Sequence, residues 1–132
     1  ASDVYKRQVE LEYRGEITDK HELVNLYQNA DFYAGLSRFD TFNVSVLEGA
    51  ASFCVPIVSG SCGAAALFDD SSAIRCEIDS DCWVDKAVAR LIELCDEGNL
   101  YRDVAKRSYR IASLYTWDDV AEKYWKVLAH GE

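Results

Sequence analysis

The feature that most constrains the fold is a pair of short apolar runs, residues 31–36 and 55–58, separated by a loop and a helix-forming stretch. Short apolar runs bounded by turn residues are typical of strands buried on both faces of a sheet. Strands that alternate with helices predict a parallel sheet covered on both sides. We therefore expect a Rossmann-like α/β fold centred on residues 31–58.

The same alternation continues along the rest of the chain. Near the start, Val9, Leu11 and Tyr13 alternate with charged residues, which is the period of a strand. Strands are predicted at residues 9–13, 32–36, 56–59 and 73–78, and helices at about 20–29, 64–68, 79–95, 101–114 and 117–129, besides one that begins near Val44. The predicted buried stripes are Leu23, Leu26 and Tyr27 in the first helix and Val84, Val88, Leu91 and Cys95 in the helix after residue 79.

Local signals indicate where several helices begin. Thr18 or Asp19 is expected to cap the first helix, and Thr116 with Asp119 forms a capping box for the last one. The triplet at residues 79–81, Asp-Ser-Asp, has a D-x-D pattern, which binds metal in some enzymes. It directly precedes a helix, so we interpret it as a cap and not as a metal site.

The turn from loop to helix around Asn43 is the candidate binding site. Asparagine tolerates left-handed backbone angles, which suits this position. The first-turn amides near Asn43 and Val44 lack intrahelical partners and, with the helix dipole, form an anion site. Asp40 and Glu48 place a carboxylate on each side, and we expect both to face one cleft at the C-terminal edge of the sheet. A ligand with phosphate in the middle and hydroxyls at both ends, such as a nucleotide sugar, fits this layout.

Structural explanations for both carboxylates remain open at this point. Asp40 could be a loop carboxylate that caps the following helix. Glu48 could lie on a partly exposed face of a helix that is otherwise apolar, because burying a carboxylate there would cost free energy without partners.

The sequence SRFDTFNVSVLEGAA at 37–51, followed by VPIV at 55–58, resembles the donor-site signature of retaining glycosyltransferases of the GT-B fold, of the family-four type. The resemblance continues to the C-terminus, where residues 115–117 and Tyr124 are similar to a helix signature that serves packing. It implies a hexosyltransferase of polysaccharide biosynthesis that moves sugar from a nucleotide-sugar donor to a hydroxyl acceptor. The expected mechanism is front-face transfer without a metal, a cofactor or an enzyme nucleophile.

The resemblance also assigns donor-site residues. Asp40 corresponds to the carboxylate that contacts the donor sugar, and Glu48 to the one that binds the ribose hydroxyls. No catalytic residue is assigned beyond this contact of Asp40. The other donor-binding positions are Phe42, Asn43, Val44 and Ile17. Ile17 follows Gly15 and Glu16 in a segment similar to the family's strand-end turn near the nucleobase, although a plain strand-to-helix turn explains it equally well.

Several positions depart from the family pattern. Asp40 replaces the usual glutamate, Phe53 replaces a glycine, and Ala66 replaces a glutamate in the loop that begins at Gly63. These departures support an alternative reading, a degenerate, non-catalytic GT-B-like interaction domain. An unrelated doubly wound module, such as a flavodoxin-like one, is a third reading, although no phosphate loop is recognisable.

Composition argues against other classes. A formal net charge of −9 and a pI of about 4.6 argue against nucleic-acid binding. No apolar run is long enough for a membrane helix and no signal peptide is visible, so we expect a cytoplasmic protein. Five cysteines without a CxxC pair favour reduced thiols over a disulfide framework, and His21 and His130 lie too far apart for a zinc cluster.

The resemblance implies that the chain is a fragment. We expect residues 1–8 to be a non-native or linker segment, with a natural strand extension as the alternative, and residues 9–132 to be a partial C-terminal, nucleotide-sugar-binding domain. The acceptor domain and the basic phosphate-binding residues would lie upstream, so the fragment alone is expected to be inactive and to bind nucleotide sugars weakly or not at all. The complete enzyme could associate peripherally with membranes.

Overall fold

The computed structural model of the protein describes residues 10–130. Its helices and strands are α1 (Lys20–Gln28), β1 (Phe32–Gly35), α2 (Val44–Ala51), β2 (Val55–Ser59), a 3₁₀ helix (Gly63–Leu67), β3 (Ile74–Cys76), α3 (Trp83–Asp96), α4 (Gly98–Ala112) and α5 (Trp117–His130). The three strands form one parallel sheet in the order β1-β2-β3. The predicted α/β class and the strand–helix alternation from residue 20 onward are therefore confirmed.

A proline lies in the central strand β2, where its missing N–H would normally break the hydrogen-bond ladder. The N–H of Val55 donates to the Asp31 carbonyl at 2.9 Å, toward β1. Backbone polar groups alternate along a strand, so the backbone nitrogen of the next residue, Pro56, faces the side of β3. Pairing with β3 begins only at Ile57, opposite Ile74. The missing donor of Pro56 therefore faces a stretch that β3 does not reach, and the sheet tolerates it.

The core lies on both faces of the sheet. On one face, Val58 packs with α2 through Val46, Leu47 and Ala50, together with the 3₁₀ helix. The cluster on the other face combines residues of β2 and β3 with residues of α3 and α4; its buried members are Val55, Ile74, Cys76, Leu94, Val104 and Ala105. Burying each large side chain of these clusters stabilises the fold by about 1.5–3 kcal/mol. The sheet therefore lies between two layers of helices, as the sequence predicted.

The local signals at three helix starts are confirmed. The Asp19 carboxylate accepts from the N–H of His21 at 2.8 Å and so caps α1. Asn43 has the left-handed angles φ 64° and ψ 77° before α2. At α5, the N–H of Asp119 donates to the Thr116 hydroxyl at 3.1 Å and the N–H of Thr116 donates to the Asp119 carboxylate at 3.3 Å, which completes the capping box. These contacts join residues only two or three positions apart, so the sequence could predict them.

The strand predicted at residues 9–13 is wrong for its described part, since residues 10–14 have no regular structure. Leu11 and Tyr13 are 89% and 92% exposed, so the alternating pattern buries no face. Val9 and residues 1–8 lie outside the described residues. That residues 1–8 are a non-native or linker segment therefore stays a prediction. Within the described residues, no segment pairs with residues 10–14, and a strand needs backbone partners to form.

β1 was predicted to be buried on both faces, and this is also wrong. Ala34 is exposed, while Phe32 and Tyr33 are half-buried. The reason is position, because β1 lies at an edge of the described sheet and only part of its surface is covered.

The predicted buried face and cap of α3 are corrected by the structure. Val84 and Val88 are half exposed and Cys95 is exposed, whereas Leu94 is buried. The stripe that packs on the core consists of the buried Leu94 and the partly buried Trp83, Ala87 and Leu91, so Leu91 is the one residue of the predicted stripe that contributes. The helix is rotated relative to the prediction because it packs Leu94 against the sheet.

The N-cap of α3 is Cys82 and makes no side-chain cap hydrogen bond. Ser80 instead donates to the Glu77 carbonyl at 2.9 Å within a turn. The carboxylates at residues 79 and 81 therefore do not cap the helix, which begins later than predicted.

Phe53, which stands where a glycine is usual, has a positive φ of 66°. It follows α2 in a Schellman motif, in which the N–H of Phe53 donates to Ala50 and the N–H of Cys54 donates to Gly49. Its ring stacks on Tyr109 with centroids 4.3 Å apart and an interplanar angle of 6°. Such stacking contributes about 0.5–1.5 kcal/mol, which offsets a left-handed strain of about 1–2 kcal/mol.

Candidate functional site

The loops that follow β1 and β2 are joined at the C-terminal edge of the sheet, where parallel α/β sheets bind ligands. Asp40 and Cys62 form an isolated parallel bridge between the two loops. The N–H of Gly63 donates to the Asp40 carbonyl at 3.2 Å, and the N–H of Ala64 donates to the Phe42 carbonyl at 2.9 Å. The loop that carries Asp40 and Phe42 is therefore fixed to the loop after β2.

Gly63 is required by this junction. A Cβ at position 63 would lie 2.1 Å from the carbonyl oxygen of Thr41, a distance that no side chain can occupy. The glycine of the loop after β2 thus sets how closely the loop after β1 approaches.

Asp40 stabilises its own loop. Its Oδ1 accepts from the N–H of Phe42 at 3.1 Å, which forms a local turn. The residue is half-buried and does not cap α2, so the capping explanation of Asp40 is wrong. Among the described residues Oδ2 has no hydrogen-bond partner, which leaves one carboxylate oxygen open to a ligand.

The N-terminus of α2 is open. The side chain of Asn43 makes no cap hydrogen bond, and the N–H of Val46 donates to the Asn43 carbonyl at 3.1 Å. The amides of Val44 and Ser45 precede the first intrahelical donor and so keep their hydrogen-bonding capacity. With the positive end of the helix dipole they form a place where an anion can bind.

Gly35, the last residue of β1, lies beside this turn. A Cβ at Gly35 would lie 3.1 Å from Nδ2 of Asn43 and 3.3 Å from a methyl group of Val46. The absence of a side chain at position 35 therefore lets the turn pack closely on the end of the strand.

Glu48 lies in the second turn of α2 and is exposed. Its Oε2 accepts a hydrogen bond from the hydroxyl of Tyr27 on α1, at 3.4 Å. The partly exposed helix face is thus what the structure shows, and it removes the cost of burying this charge. An exposed carboxylate beside an open helix N-terminus can accept hydrogen bonds from ligand hydroxyls.

Tyr27 was assigned from the sequence to a packing stripe, and its contact with Glu48 was missed. Leu23, Leu26 and Tyr27 share one face as predicted, but they are half-buried and no residue of α1 is fully buried. Burial raises the pKa of the Tyr27 hydroxyl; a hydrogen bond with Ser45 lowers it, and the Glu48 charge raises it further. The sequence held one signal for a polar contact: the stripe ends in a tyrosine, whose hydroxyl needs a hydrogen-bond partner when the ring is packed.

A groove of about 480 Å³ lies between α2, the end of α4 and the start of α5. Three of the predicted site residues, Phe42, Val44 and Glu48, line it, together with Leu47, Ala51, Ala112, Tyr115, Thr116, Trp117, Val120 and Tyr124. Asp40, Asn43 and Ile17 do not line it. The groove is largely apolar and aromatic, and Glu48 supplies its carboxylate.

Ile17 is half-buried in the irregular segment before α1, two residues after Gly15, whose φ of +64° favours a glycine. That Asp40 and Glu48 bind two ends of one ligand stays a prediction. Residues 115–117, predicted to serve packing, line the groove, and Trp117 is 77% exposed.

The described part of the chain contains no group of three or more histidine, cysteine or acidic side chains that could hold a metal ion. Within residues 10–130, no helix is both long and apolar enough to cross a membrane. All five cysteines are unpaired; Cys54, Cys62 and Cys76 are buried, and Cys82 and Cys95 are exposed. Burial raises the pKa of the Cys54 and Cys76 thiols, which favours their neutral form.

Comparisons with known proteins identify the fold. A scan against models of protein families found no match, and a search of curated proteins found none. Among solved structures, the chain is similar to the C-terminal domain of a glycosyl transferase group 1 family protein (LpcC) from Francisella tularensis, with a TM-score of 0.65 and 23% identity. The match covers 75% of this chain and 50% of that chain, so this chain spans about half the length of that solved domain. The fold is that of the C-terminal domain of a GT-B glycosyltransferase.

Proposed function

We propose that this chain is the donor-binding part of a retaining GT-B glycosyltransferase of the family-four type. The complete enzyme transfers a sugar, of the hexosyl type, from a nucleotide donor to a hydroxyl acceptor in polysaccharide biosynthesis. The observation that carries the proposal is the open N-terminus of α2, which lies at the C-terminal edge of the sheet with Asp40 before it and Glu48 within the helix.

Each part of the site has a role in this proposal. The amides of Val44 and Ser45 bind the donor diphosphate and stabilise the charge that develops on it as the leaving group. Asp40, through its free Oδ2, accepts hydrogen bonds from the donor sugar. Glu48 accepts hydrogen bonds from the ribose hydroxyls. Ile17 and Phe42 border the nucleoside, and Asn43 shapes the turn that presents the amides.

The mechanism is front-face transfer through an oxocarbenium-like transition state. The bond between the sugar and the diphosphate breaks, the acceptor oxygen bonds to the same face of the sugar, and the acceptor proton passes to the departing phosphate oxygen. The sugar therefore keeps its configuration. No residue of this chain acts as a nucleophile, and no metal takes part. The acceptor site and the basic residues that complete the diphosphate site are contributed from outside residues 10–130.

The first test concerns the reading frame. The nucleotide sequence upstream of the codon for Val9 should encode an N-terminal domain and a basic, glycine-rich donor loop. An upstream frame that encodes an unrelated domain would contradict the proposal. The product of the whole reading frame is the complete protein.

The second test removes the ribose contact. In the complete protein, Glu48→Ala should weaken binding of the nucleotide sugar by about 1.5–3 kcal/mol, because a charged acceptor of hydrogen bonds is lost. Titration calorimetry measures this change. Glu93→Ala is the matched control, since Glu93 is also an exposed helical glutamate but belongs to α3, on the other face of the sheet. Equal donor affinities of parent and Glu48→Ala would exclude the assigned role.

A non-catalytic interaction domain is the second candidate. The replacements at Asp40, Phe53 and Ala66 favour it, as does the apolar groove beside α5. A complete protein that binds no nucleotide sugar but binds another protein through this groove would support the second candidate over the first.

A further inference from the structure

The most unusual polar contact beside the site joins α1 to α2. The hydroxyl of Tyr27 donates to Oε2 of Glu48 across 21 positions of sequence. The two residues lie on different helices, and only the folding of the chain brings their side chains together. The contact therefore belongs to the tertiary structure of the site and not to the local structure of either helix.

Tyr27 is held at both of its ends. Its backbone carbonyl accepts a hydrogen bond from Sγ of Cys54 at 3.0 Å, just before β2. Its ring meets the ring of Tyr33 edge to face, with centroids 5.9 Å apart at 62°. Tyr33 is itself fixed, because a Cβ at Gly49 would lie 2.9 Å from its Cβ. The Tyr27 hydroxyl is thus a donor in a fixed position.

Glu48, in contrast, is an exposed side chain on a helix surface. A free glutamate of this kind samples several rotamers, and ordering it on binding reduces affinity. A donor in a fixed position that holds Oε2 restricts these rotamers before a ligand arrives, and Oε1 remains available to accept hydrogen bonds.

The protonation state of Tyr27 suits this function. Burial raises the pKa of its hydroxyl, so the proton stays on the oxygen throughout the physiological range.

We propose that Tyr27 is a positioning residue of the donor site, whose hydroxyl holds the Glu48 carboxylate in the orientation that accepts hydrogen bonds from the ribose diol. Tyr27 does not contact the reacting atoms and acts through Glu48. This inference rests on the proposed function, because it takes the ribose contact of Glu48 as given.

One test examines the contact in the 132-residue chain itself. Tyr27→Phe removes only the hydroxyl and should shift the side-chain carboxyl ¹³C resonance of Glu48. Tyr33→Phe is the matched control, since it removes a hydroxyl from the neighbouring ring and should leave that resonance in place. A Glu48 resonance that is the same in the parent and in Tyr27→Phe would overturn the proposal.

A second test examines the role in the complete protein. The affinities for uridine, adenosine and guanosine diphosphates are compared with those for their 2′,3′-dideoxy counterparts. Tyr27→Phe should reduce the preference for the ribose form by about three- to tenfold, the range for one hydrogen bond. It should leave the affinity for the dideoxy form unchanged. A residue with a purely structural role would weaken both forms together, and that result would overturn the proposal.

Glu48→Gln separates failure of this inference from failure of the proposed function. If Glu48→Gln removes the ribose preference but Tyr27→Phe does not, only the inference fails. If the parent shows no ribose preference, or Glu48→Gln leaves it intact, both fail. If both variants reduce the preference and the double variant is no worse than Glu48→Gln alone, Tyr27 acts through Glu48 as proposed.

Discussion

α2 and α5 border the same groove, but they differ in how many of their residues are buried. Half of the eight residues of α2 are buried, namely Val46, Leu47, Gly49 and Ala50. The fourteen residues of α5 include no buried side chain among those described, and the helix exposes Trp117, Tyr124, Trp125, Val127 and Leu128. Local signals are therefore enough to form a helix, whereas burial needs a surface to pack against.

The two helices also begin differently. α5 has a complete capping box at Thr116 and Asp119. α2 has no side-chain cap, and its start is fixed by the left-handed Asn43 and by the junction of the loops after β1 and β2. The helix with the weaker local signal is therefore the better anchored one, and its uncapped end is what makes it suited to bind a ligand.

The largest expected effect comes from the junction that anchors α2. Gly63→Ala should destabilise the protein by about 3 kcal/mol, because the new Cβ must displace the Thr41 carbonyl. Urea unfolding measures the change. Gly98→Ala is the control, since a Cβ there meets nothing within 4 Å, and it should change stability by less than about 0.5 kcal/mol. Equal effects of the two substitutions would show that the junction does not anchor α2.

The next effect compares the helices directly. Val46→Ala in α2 should cost about 2 kcal/mol, because Val46 is fully buried and leaves a cavity. Trp125→Ala in α5 should cost less than about 0.5 kcal/mol although it removes a larger side chain, because Trp125 is 69% exposed. Urea midpoints of the two variants provide the measurement. A Trp125→Ala variant as unstable as Val46→Ala would mean that α5 is packed in solution.

A contact of α4 should make the stability of the protein depend on pH. The Tyr101 hydroxyl donates to the Asp31 carbonyl at 3.0 Å, and burial, followed by the Asp31 charge, raises its pKa to about 12 from 10.0. Because the folded pKa exceeds the unfolded one, the contribution is fully present below pH 10 and is lost as the pH rises toward 12.

The parent should therefore lose about 1–2 kcal/mol more stability over this interval than Tyr101→Phe, a value reduced for partial exposure. Thermal unfolding at stepped pH values measures the difference. Parallel pH profiles for the two proteins would rule out Tyr101 as an anchor of α4.

The smallest expected effect is at the end of α2. Phe53→Gly relieves the positive φ but loses the stack on Tyr109, so its net effect should be below about 1 kcal/mol. In the background of Tyr109→Ala, the same substitution should instead stabilise the protein by about 1 kcal/mol. Denaturant unfolding of the two single variants and the double variant measures this difference. Additive effects would indicate that the stacked rings do not compensate for the strain.

Sequence reasoning succeeded where a signal joins nearby residues. Asp19, Asn43 and the pair Thr116–Asp119 behave as predicted because a cap or a turn involves positions within three residues of each other. It failed for residues 10–14 because alternation specifies a face but not the partner strand that the face requires. For α3, the pattern held two apolar stripes, and only packing against the sheet selected the one that contains Leu94.

The candidate site divides in the same way. The sequence identified Asp40, Asn43 and Glu48 as candidates and placed them around one loop-to-helix turn. It did not indicate that Tyr27 contacts Glu48, because those residues are 21 positions apart and meet only in the folded chain.

The sequence by itself determined the order of strands and helices from residue 20 onward, the left-handed turn at Asn43 and the capping of α1 and α5. The tertiary structure alone decided which helices are buried, how Phe53 is accommodated and which groups surround Glu48. The physical reason is distance along the chain. Caps and periodicity depend on backbone geometry over one or two helical turns, whereas burial and contacts such as Phe53 with Tyr109 depend on surfaces that only folding brings together.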